Sequence, residues 1–463
     1  MKKNKIRVIS AVVSAIMLAS SASAFAKFDA YNDPDGFTLG HYEAEVNQEQ
    51  RAETEKLYEQ RPKNERQFEN LSRGLVAVPG ENGTLVSWRF LGTDSNSLAY
   101  NLYCNGEKLN DEPITTTNFF HTGVSANAEY ALKEVENGEE TGVEYTTTAW
   151  DKNYIGFKVT EREGYNIDDG AVADLDGDGE YEILLRRVPS MDVNTRTSYP
   201  VIEAYKTDGT HMWTIDIGPN EINEVDINFL AYDMDGDGKA EVIMRSFEGT
   251  TDGKGNTIGD TNGDGITDYS KSESNLAIFK DRQYIVSTPE FLSIYDGETG
   301  EETDRTDLKP SKEPLSDWSY RYSDTGRLTK RASHYLFGLA YLDGVTPSVV
   351  MVRGAWDNVR AAAWHIEDGK FKEDWVHNTE NKDDVNSIWG ACNHNLVTVD
   401  VDFDGKDEIL SGPMAIDHDG SEMYAVKVYD NEGNAQHLAH GDAFDVAKTD
   451  PDFNGYMTWA CHE

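Results

Sequence analysis

The stretch Asp174-Leu175-Asp176-Gly177-Asp178-Gly179-Glu180-Tyr181-Glu182, running on into Ile183-Leu184-Leu185, decides how this chain is read. Oxygens at its first, third and fifth positions converge on one centre, Gly at the sixth permits a sharp turn, and the carboxylate at the ninth closes the shell. The pattern recurs at Asp233-Met234-Asp235-Gly236-Asp237-Gly238-Lys239-Ala240-Glu241 and at Asp400-Val401-Asp402-Phe403-Asp404-Gly405-Lys406-Asp407-Glu408, each followed by apolar residues. A fourth copy, Asp260-Thr261-Asn262-Gly263-Asp264-Gly265-Ile266-Thr267-Asp268, keeps the spacing but lacks an apolar entry strand. One such loop is often a plain Asp-Gly turn; four in register are not explained that way. The expected ligands are Asp174, Asp176, Asp178 and Glu182; Asp233, Asp235, Asp237 and Glu241; Asp260, Asn262, Asp264 and Asp268; and Asp400, Asp402, Asp404 and Glu408.

Calcium suits such loops, because it takes about six to eight hard oxygen ligands in loose geometry, whereas magnesium demands a tighter octahedron. Zinc would call for His or Cys. An EF-hand would place Glu at the twelfth position, where Leu185, Met244 and Ser411 stand. The loops are therefore short hairpins between strands.

Around them the chain reads as all-β. Residues 151–463 carry strand-like segments separated by Asp-Gly and Asn-Gly turns, with few runs at helical spacing, as in a propeller or sandwich. Residues 73–150 contain shorter segments such as Leu85-Val86-Ser87-Trp88-Arg89-Phe90 and Leu98-Ala99-Tyr100-Asn101-Leu102-Tyr103, partly alternating, which predicts a small β-sandwich. Residues 27–72 are polar, with Glu and Gln runs, and read as a linker or frayed helix.

Residues 1–26 read as a secretory signal peptide: Lys2, Lys3, Lys5 and Arg7, an apolar run from Val8 to Leu18, then the small residues Ala22-Ser23-Ala24-Phe25-Ala26. The apolar run is shorter than the roughly 20 residues that span a bilayer, so no membrane span is expected. The protein is expected outside the cell, as a monomer. A net charge of -42 repels nucleic acid and anionic membranes, and a polyanionic partner needs basic groups or bridging cations. Cys104, Cys392 and Cys461 are too few and too scattered for a disulfide framework.

With these residues placed, the chain resembles the rhamnogalacturonan lyases that join a fibronectin III-like sandwich to an eight-bladed, calcium-loaded propeller. The resemblance rests on the loops and on Arg73-Gly74-Leu75-Val76-Ala77-Val78, Val86-Ser87-Trp88-Arg89-Phe90-Leu91-Gly92-Thr93, Ala340-Tyr341-Leu342-Asp343-Gly344, Arg353-Gly354, Asn393-His394-Asn395-Leu396, Met414-Ala415-Ile416-Asp417-His418-Asp419-Gly420 and His440-Gly441-Asp442-Ala443. It implies a lyase that cleaves the rhamnose-galacturonate backbone of pectin by β-elimination. That chemistry neutralises the uronate carboxylate, removes the C5 proton and stabilises the leaving oxygen; calcium can serve the first step and a His, Lys or Arg the second.

The candidate catalytic residues are His394, His440 and Arg353, with Asp168, Arg187, Asn393, Asn395 and Asp442 as candidate substrate contacts. His418, His462, Glu463, Arg186 and Arg245 are further candidates, and His394 and His440 are equally eligible as metal ligands. The chain departs from the family at several polar or aromatic positions. Arg187-Val188-Pro189-Ser190 replaces a Trp-Asp-Pro-Ser run, Asp168 replaces Asn, and Val225-Asp226-Ile227 replaces His-Tyr-Thr. Asp445 stands for a second His, and Arg353-Gly354-Ala355-Trp356 for Arg-Gly-Tyr-Tyr. The propeller is expected to be incomplete in this chain. A non-catalytic, calcium-stabilised carbohydrate-binding or adhesive propeller is the competing reading.

Overall fold

A computed structural model describes residues 27–32, 38–43, 48–123, 127–190, 198–221, 228–280, 282–318, 323–354, 356, 358–379, 384–429, 433–438 and 440–462, with backbone alone for the first two spans and for residue 462. The expected signal peptide, Val225-Asp226-Ile227 and Glu463 lie outside the described residues. Among those described, no helix is long and apolar enough to cross a membrane.

Strands β1 (Lys27–Asn32) and β2 (Thr38–Glu43) pair antiparallel, and helix α1 (Gln48–Gln60) follows. Next come β3 (Val76–Gly80), β4 (Gly83–Ser87), β5 (Ala99–Cys104), β6 (Glu107–Lys108), β7 (Asn118–Thr122), β8 (Glu129–Glu136) and β9 (Glu139–Thr148). They form two sheets, β3-β4-β7 and β6-β5-β8-β9. Ala77 and Val86 from one sheet and Tyr100, Leu102, Tyr130 and Leu132 from the other share one core, so this unit is the expected sandwich.

Four antiparallel four-stranded sheets then follow in chain order. The first is β10 (Tyr165–Ala173), β11 (Glu182–Pro189), β12 (Val201–Tyr205) and β13 (His211–Asp216). The second joins β14 (Phe229–Tyr232) and β15 (Glu241–Phe247) to β18 (Glu290–Tyr295) and β19 (Glu302–Asp307), with the hairpin β16 (Leu276–Phe279) and β17 (Arg282–Ile285) inserted. After α2 (Thr325–Ser333) comes the third, β20 (Tyr335–Ala340), β21 (Ser348–Arg353), β22 (Arg360–Glu367) and β23 (Lys370–Asn378). The fourth is β24 (Val397–Val399), β25 (Glu408–Ser411), β26 (Met414–Ile416) and β27 (Glu422–Ala425). The pairs β28 (Lys427–Tyr429) with β29 (Ala435–His437) and β30 (Gly441–Ala447) with β31 (Met457–His462) complete the chain.

Period-2 alternation explains why these strands are apolar on both faces. In β15, Val242 and Met244 pack toward the first sheet, while Ile243 packs toward the third. In β21, Val349 and Met351 face the second sheet, and Val350 and Val352 face the fourth. Leu410, Ala415 and Tyr424 continue the series against Phe444 and Ala460 of β30 and β31. First strands are neighbours in the order β10, β14, β20, β24. Successive sheets thus pack face to face in chain order, and the described residues define no closed ring.

Residues 48–72, part of the span expected as a linker or frayed helix, dock on the rest of the chain. Helix α1 docks on the C-terminal region: Arg51 bonds Asp450 Oδ2 at 2.9 Å, Glu55 receives Asn454, and Tyr58 meets Phe403 edge-on. An extended strap then crosses the tips of the four sheets. Asn64 donates to Gly405 O at 2.8 Å and Arg66 pairs with Asp407 at 2.7 Å. Gln67 bonds Val345 O at 2.9 Å and Asp233 O at 3.3 Å, and Ser72 N donates to Gly179 O at 3.0 Å. Polar composition conceals this role, because the partners are backbone carbonyls and loop carboxylates far away in sequence.

Candidate active site and metal loops

Three of the repeated loops join the first strand of a sheet to its second: 174–182 between β10 and β11, 233–241 between β14 and β15, and 400–408 between β24 and β25. Backbone amides wind each loop around its first Asp. Asp174 accepts from Gly177 N at 2.8 Å and Gly179 N at 2.8 Å, Asp233 from Gly236 N and Gly238 N at 2.7 and 3.0 Å, and Asp400 from Gly405 N at 3.1 Å. The ninth residue folds back onto the second: Glu182, Glu241 and Glu408 accept from Leu175 N, Met234 N and Val401 N at 2.9, 2.9 and 2.8 Å. In the third loop Phe403 takes the left-handed conformation at φ 67, a strain of order 1 kcal/mol, and its ring packs on Tyr58 and Tyr456.

These residues fit a hard divalent cation. Asp174, Asp176 and Asp178, then Asp233, Asp235 and Glu241, then Asp400, Asp402 and Asp404 each bring ligand oxygens within 4.8 Å of one another. Asp176 Oδ1, Asp400 Oδ1 and Glu408 Oε1 are buried without a hydrogen-bond partner. Burial, then repulsion by neighbouring carboxylates, pushes Glu241 up to about 8 and Glu408 up to about 9. Such clusters are what a cation relieves. In the fourth loop the ninth residue, Asp268, accepts from Ser270 N at 3.1 Å and pairs with Lys271 at 2.9 Å, while Thr261 N, the second residue, donates elsewhere.

A second cluster forms where three sheets' connections meet. His394 precedes β24, His440 precedes β30, His334 caps the C-terminus of α2, and Trp356 follows β21. Ring centroids lie 4.7 Å apart for His394 and His440, 5.0 Å for His334 and His394, and 4.6 Å for Trp356 and His440. Lys330 Nζ sits 3.9 Å from the Trp356 centroid, with Arg331 beside it. His440 is buried, and its Nδ1 is 2.6 Å from Cys392 O. A carbonyl only accepts, so Nδ1 carries the proton and Nε2 is the bare acceptor. His394 Nε2 lies 3.2 Å away and donates to it, which leaves His394 Nδ1 with a free lone pair. Burial and neighbouring cationic groups push both imidazoles down to about 4, so they are neutral near pH 7. Ligand atoms of His394, His440 and exposed Asp442 also lie within 4.8 Å of one another, close enough to share a divalent cation.

The remaining candidates are placed differently. Asn393 is fully buried and clamps strands together, donating to Ala443 O at 3.1 Å and accepting from Gly441 N at 2.8 Å. Asn395 donates to Phe444 O at 2.6 Å. Arg187 is buried in the first sheet against Glu203 Oε2 at 2.9 Å and Thr160 O at 2.7 Å, while Asp168 pairs with Arg186 at 2.8 Å. Arg353 is fully buried and bonds Glu290 at 3.0 Å, in a cluster with Arg245, Lys312 and Glu221. His418 belongs to the third loop, with Nδ1 3.6 Å from Asp404. The side chain of His462 is outside the described residues. His334, Lys330 and Arg331 stand in no recognisable sequence motif, although Asp324 caps α2 by accepting from Arg327 N at 2.9 Å and marks a helix there.

A sandwich followed by four packed four-stranded sheets with acidic hairpin loops, and a His-Trp cluster between sheets, defines an all-β class of protein. The model of the rhamnogalacturonan lyase family 11 C-terminal domain matches residues 156–463, and that of the rhamnogalacturonan I lyase beta-sheet domain matches residues 66–150. The chain is 37% identical over 413 residues to the rhamnogalacturonan endolyase YesW of Bacillus subtilis (strain 168), covering 86% of this chain and 62% of that protein. It is 37% identical over 415 residues to the exolyase YesX of the same organism, covering 86% and 63%. The crystal structure of YesX superposes with a TM-score of 0.73 at 37% identity, over 87% of this chain and 64% of that one. The Bacillus licheniformis rhamnogalacturonan lyase PL11 superposes at 0.71 and 37%, over 86% and 66%. This chain belongs to rhamnogalacturonan lyase family 11. It spans less than two thirds of the length of the two curated relatives.

Proposed function

We propose that this protein is an exported, monomeric, calcium-dependent lyase that cleaves the rhamnogalacturonan backbone of pectin by β-elimination at the His394-His440-Trp356 cluster. The observation that carries the site is the fixed imidazole pair. Cys392 O sets the tautomer of His440, His440 sets that of His394, and His394 Nδ1 is left as a base. Lys330 and Arg331, on the Trp356 face, supply the positive charge that a uronate carboxylate needs. In the reaction the C5-H bond breaks toward His394, its electron pair forms the C4-C5 double bond, and the C4-O bond breaks with its pair on the rhamnosyl oxygen, which takes a proton from solvent as it leaves. A bound carboxylate also raises the basicity of His394, since opposite charge favours imidazolium. Calcium in the loops would hold the sheet tips and offset the acidic surface.

Rhamnogalacturonan incubated with the protein and calcium is expected to gain the absorbance of unsaturated uronate. His394→Ala should lower the rate by about 100-fold, within the usual range for a lost general base. Binding without product would favour the non-catalytic reading, which the internal placement of Arg187 and Asn393 supports. A cation shared by His394, His440 and Asp442 is the second reading of this site, favoured by their spacing. It predicts that His394→Ala releases a metal ion, measured by elemental analysis, where the base reading predicts none.

A further inference from the structure

We infer that Glu248, from outside the repeat, replaces Asp268 as the closing carboxylate of the fourth loop, so that Glu248, Asp260, Asn262 and Asp264 form a calcium site built from two segments. The inference rests on the calcium reading of the loops and adds a ligand that the repeat does not contain.

The three regular loops share one signature: a carboxylate oxygen of the ninth residue accepts the N–H of the second residue. In the fourth loop the second residue is Thr261. Its N–H donates to Glu248 Oε1 at 2.7 Å, and its hydroxyl donates to the same oxygen at 2.6 Å. The other oxygen, Glu248 Oε2, is buried without a hydrogen-bond partner, and the residue is fully buried. Glu408 shows the same division of labour, with Oε2 on Val401 N and Oε1 buried without a partner. An ionised carboxylate oxygen buried in this way is costly unless a cation meets it.

The rest of the loop keeps the regular winding. Asp260 accepts from Gly263 N at 2.7 Å and Gly265 N at 2.8 Å, as Asp174 and Asp233 do from their glycines. Asp264 accepts from Ile266 N at 2.8 Å, as Asp237 does from Lys239 N. Asp268 has its oxygens committed to Ser270 and Lys271 instead. Asn220 fastens the two segments, donating to Glu248 O at 2.6 Å and Thr267 O at 3.0 Å while accepting from Tyr269 N at 2.8 Å. Glu248 directly follows β15, and Glu241, which closes the second loop, begins it. One strand thereby carries a closing carboxylate at each end, separated by about 20 Å at 3.3 Å per residue.

Three carboxylates and an amide carry one negative charge fewer than a regular loop, so this site is expected to be the weakest, by about 10-fold in affinity. The test is calcium titration of chelator-stripped protein, with stoichiometry counted by native mass spectrometry. Glu248→Gln should bind one calcium fewer than wild type, whereas Asp268→Asn should bind the same number. Glu248→Asp, which keeps the charge but withdraws the oxygens, should weaken one site at least 10-fold. In chelator, Glu248→Gln should melt no lower than wild type, which shows that the variant folds and that the glutamate serves the metal. Full retention of calcium by Glu248→Gln, together with the loss of one ion in Asp400→Asn, overturns the assignment of Glu248 alone. A wild type that binds no calcium overturns the reading of every loop, and this one with it. Loss of a calcium in Asp268→Asn also overturns it.

Discussion

Replacing Glu290 with Gln tests whether the buried charges at the start of β18 hold adjacent sheets together. Glu290 accepts from Arg353 Nη1 at 3.0 Å and Arg245 Nη1 at 3.3 Å, and Lys312 Nζ stands 3.7 Å away. Arg353 comes from the third sheet and Arg245 from the second, so one carboxylate joins both. Burial pushes its pKa up, but Arg353, Lys312 and Arg245 together outweigh burial and hold it down at about 2, from an ordinary 4.5. A drop of that size corresponds to about 3 kcal/mol of preference for the ionised form. Removing one partner of a buried pair costs about 3–5 kcal/mol, because the other charges are left uncompensated. Glu290→Gln is therefore expected to lose about 3–4 kcal/mol, read as a lower urea midpoint in saturating calcium. A depressed carboxylate contributes stability that is present above pH 4.5 and is lost as pH falls toward 2. The wild type should lose that stability in this window and the variant should not. Adding Arg353→Met to the variant should restore at least about 1 kcal/mol through coupling. A loss below about 1 kcal/mol, or the same acid profile in both proteins, would refute the reasoning.

Arg66→Ala removes the strap's ion pair with Asp407, a carboxylate that also accepts Tyr341 N at 2.9 Å; a loss of about 1–3 kcal/mol and faster proteolysis within residues 61–72 are expected, measured by melting and limited digestion. Stripping calcium should destabilise the protein by about 4 kcal/mol for each loop filled at a thousandfold its dissociation constant; magnesium should not restore it, as calorimetry with each ion checks. Trp356→Ala, which removes the ring packed at a tilt against His440 and beneath Lys330, should lower kcat/KM on rhamnogalacturonan about 10- to 100-fold without lowering calcium stoichiometry.

The Asp-Gly repeats disclosed the three regular loops from sequence, because their carboxylates lie within nine consecutive residues and local spacing suffices to bring the oxygens together. Strand content was legible for the same reason, since alternation and turn residues act over short range. The two burial partners of each strand were not: Val242 and Ile243 look alike in sequence, and packing alone sends them to different sheets. The strap was hidden because Asn64, Arg66 and Gln67 meet partners more than 160 residues away. His394 and His440 could be named as candidates, yet their tautomers depend on Cys392 O and on each other, and their neighbours Lys330, His334 and Trp356 come from separate elements. Arg187 and Asn393 show the converse, since side chains suited to sugar contact are drawn into the interior by backbone carbonyls and a buried glutamate. Sequence by itself determined an all-β chain with acidic loops, for which local spacing is sufficient. The tertiary structure alone decided which carboxylate closes the fourth loop, because Glu248 reaches Thr261 through packing and not through the repeat.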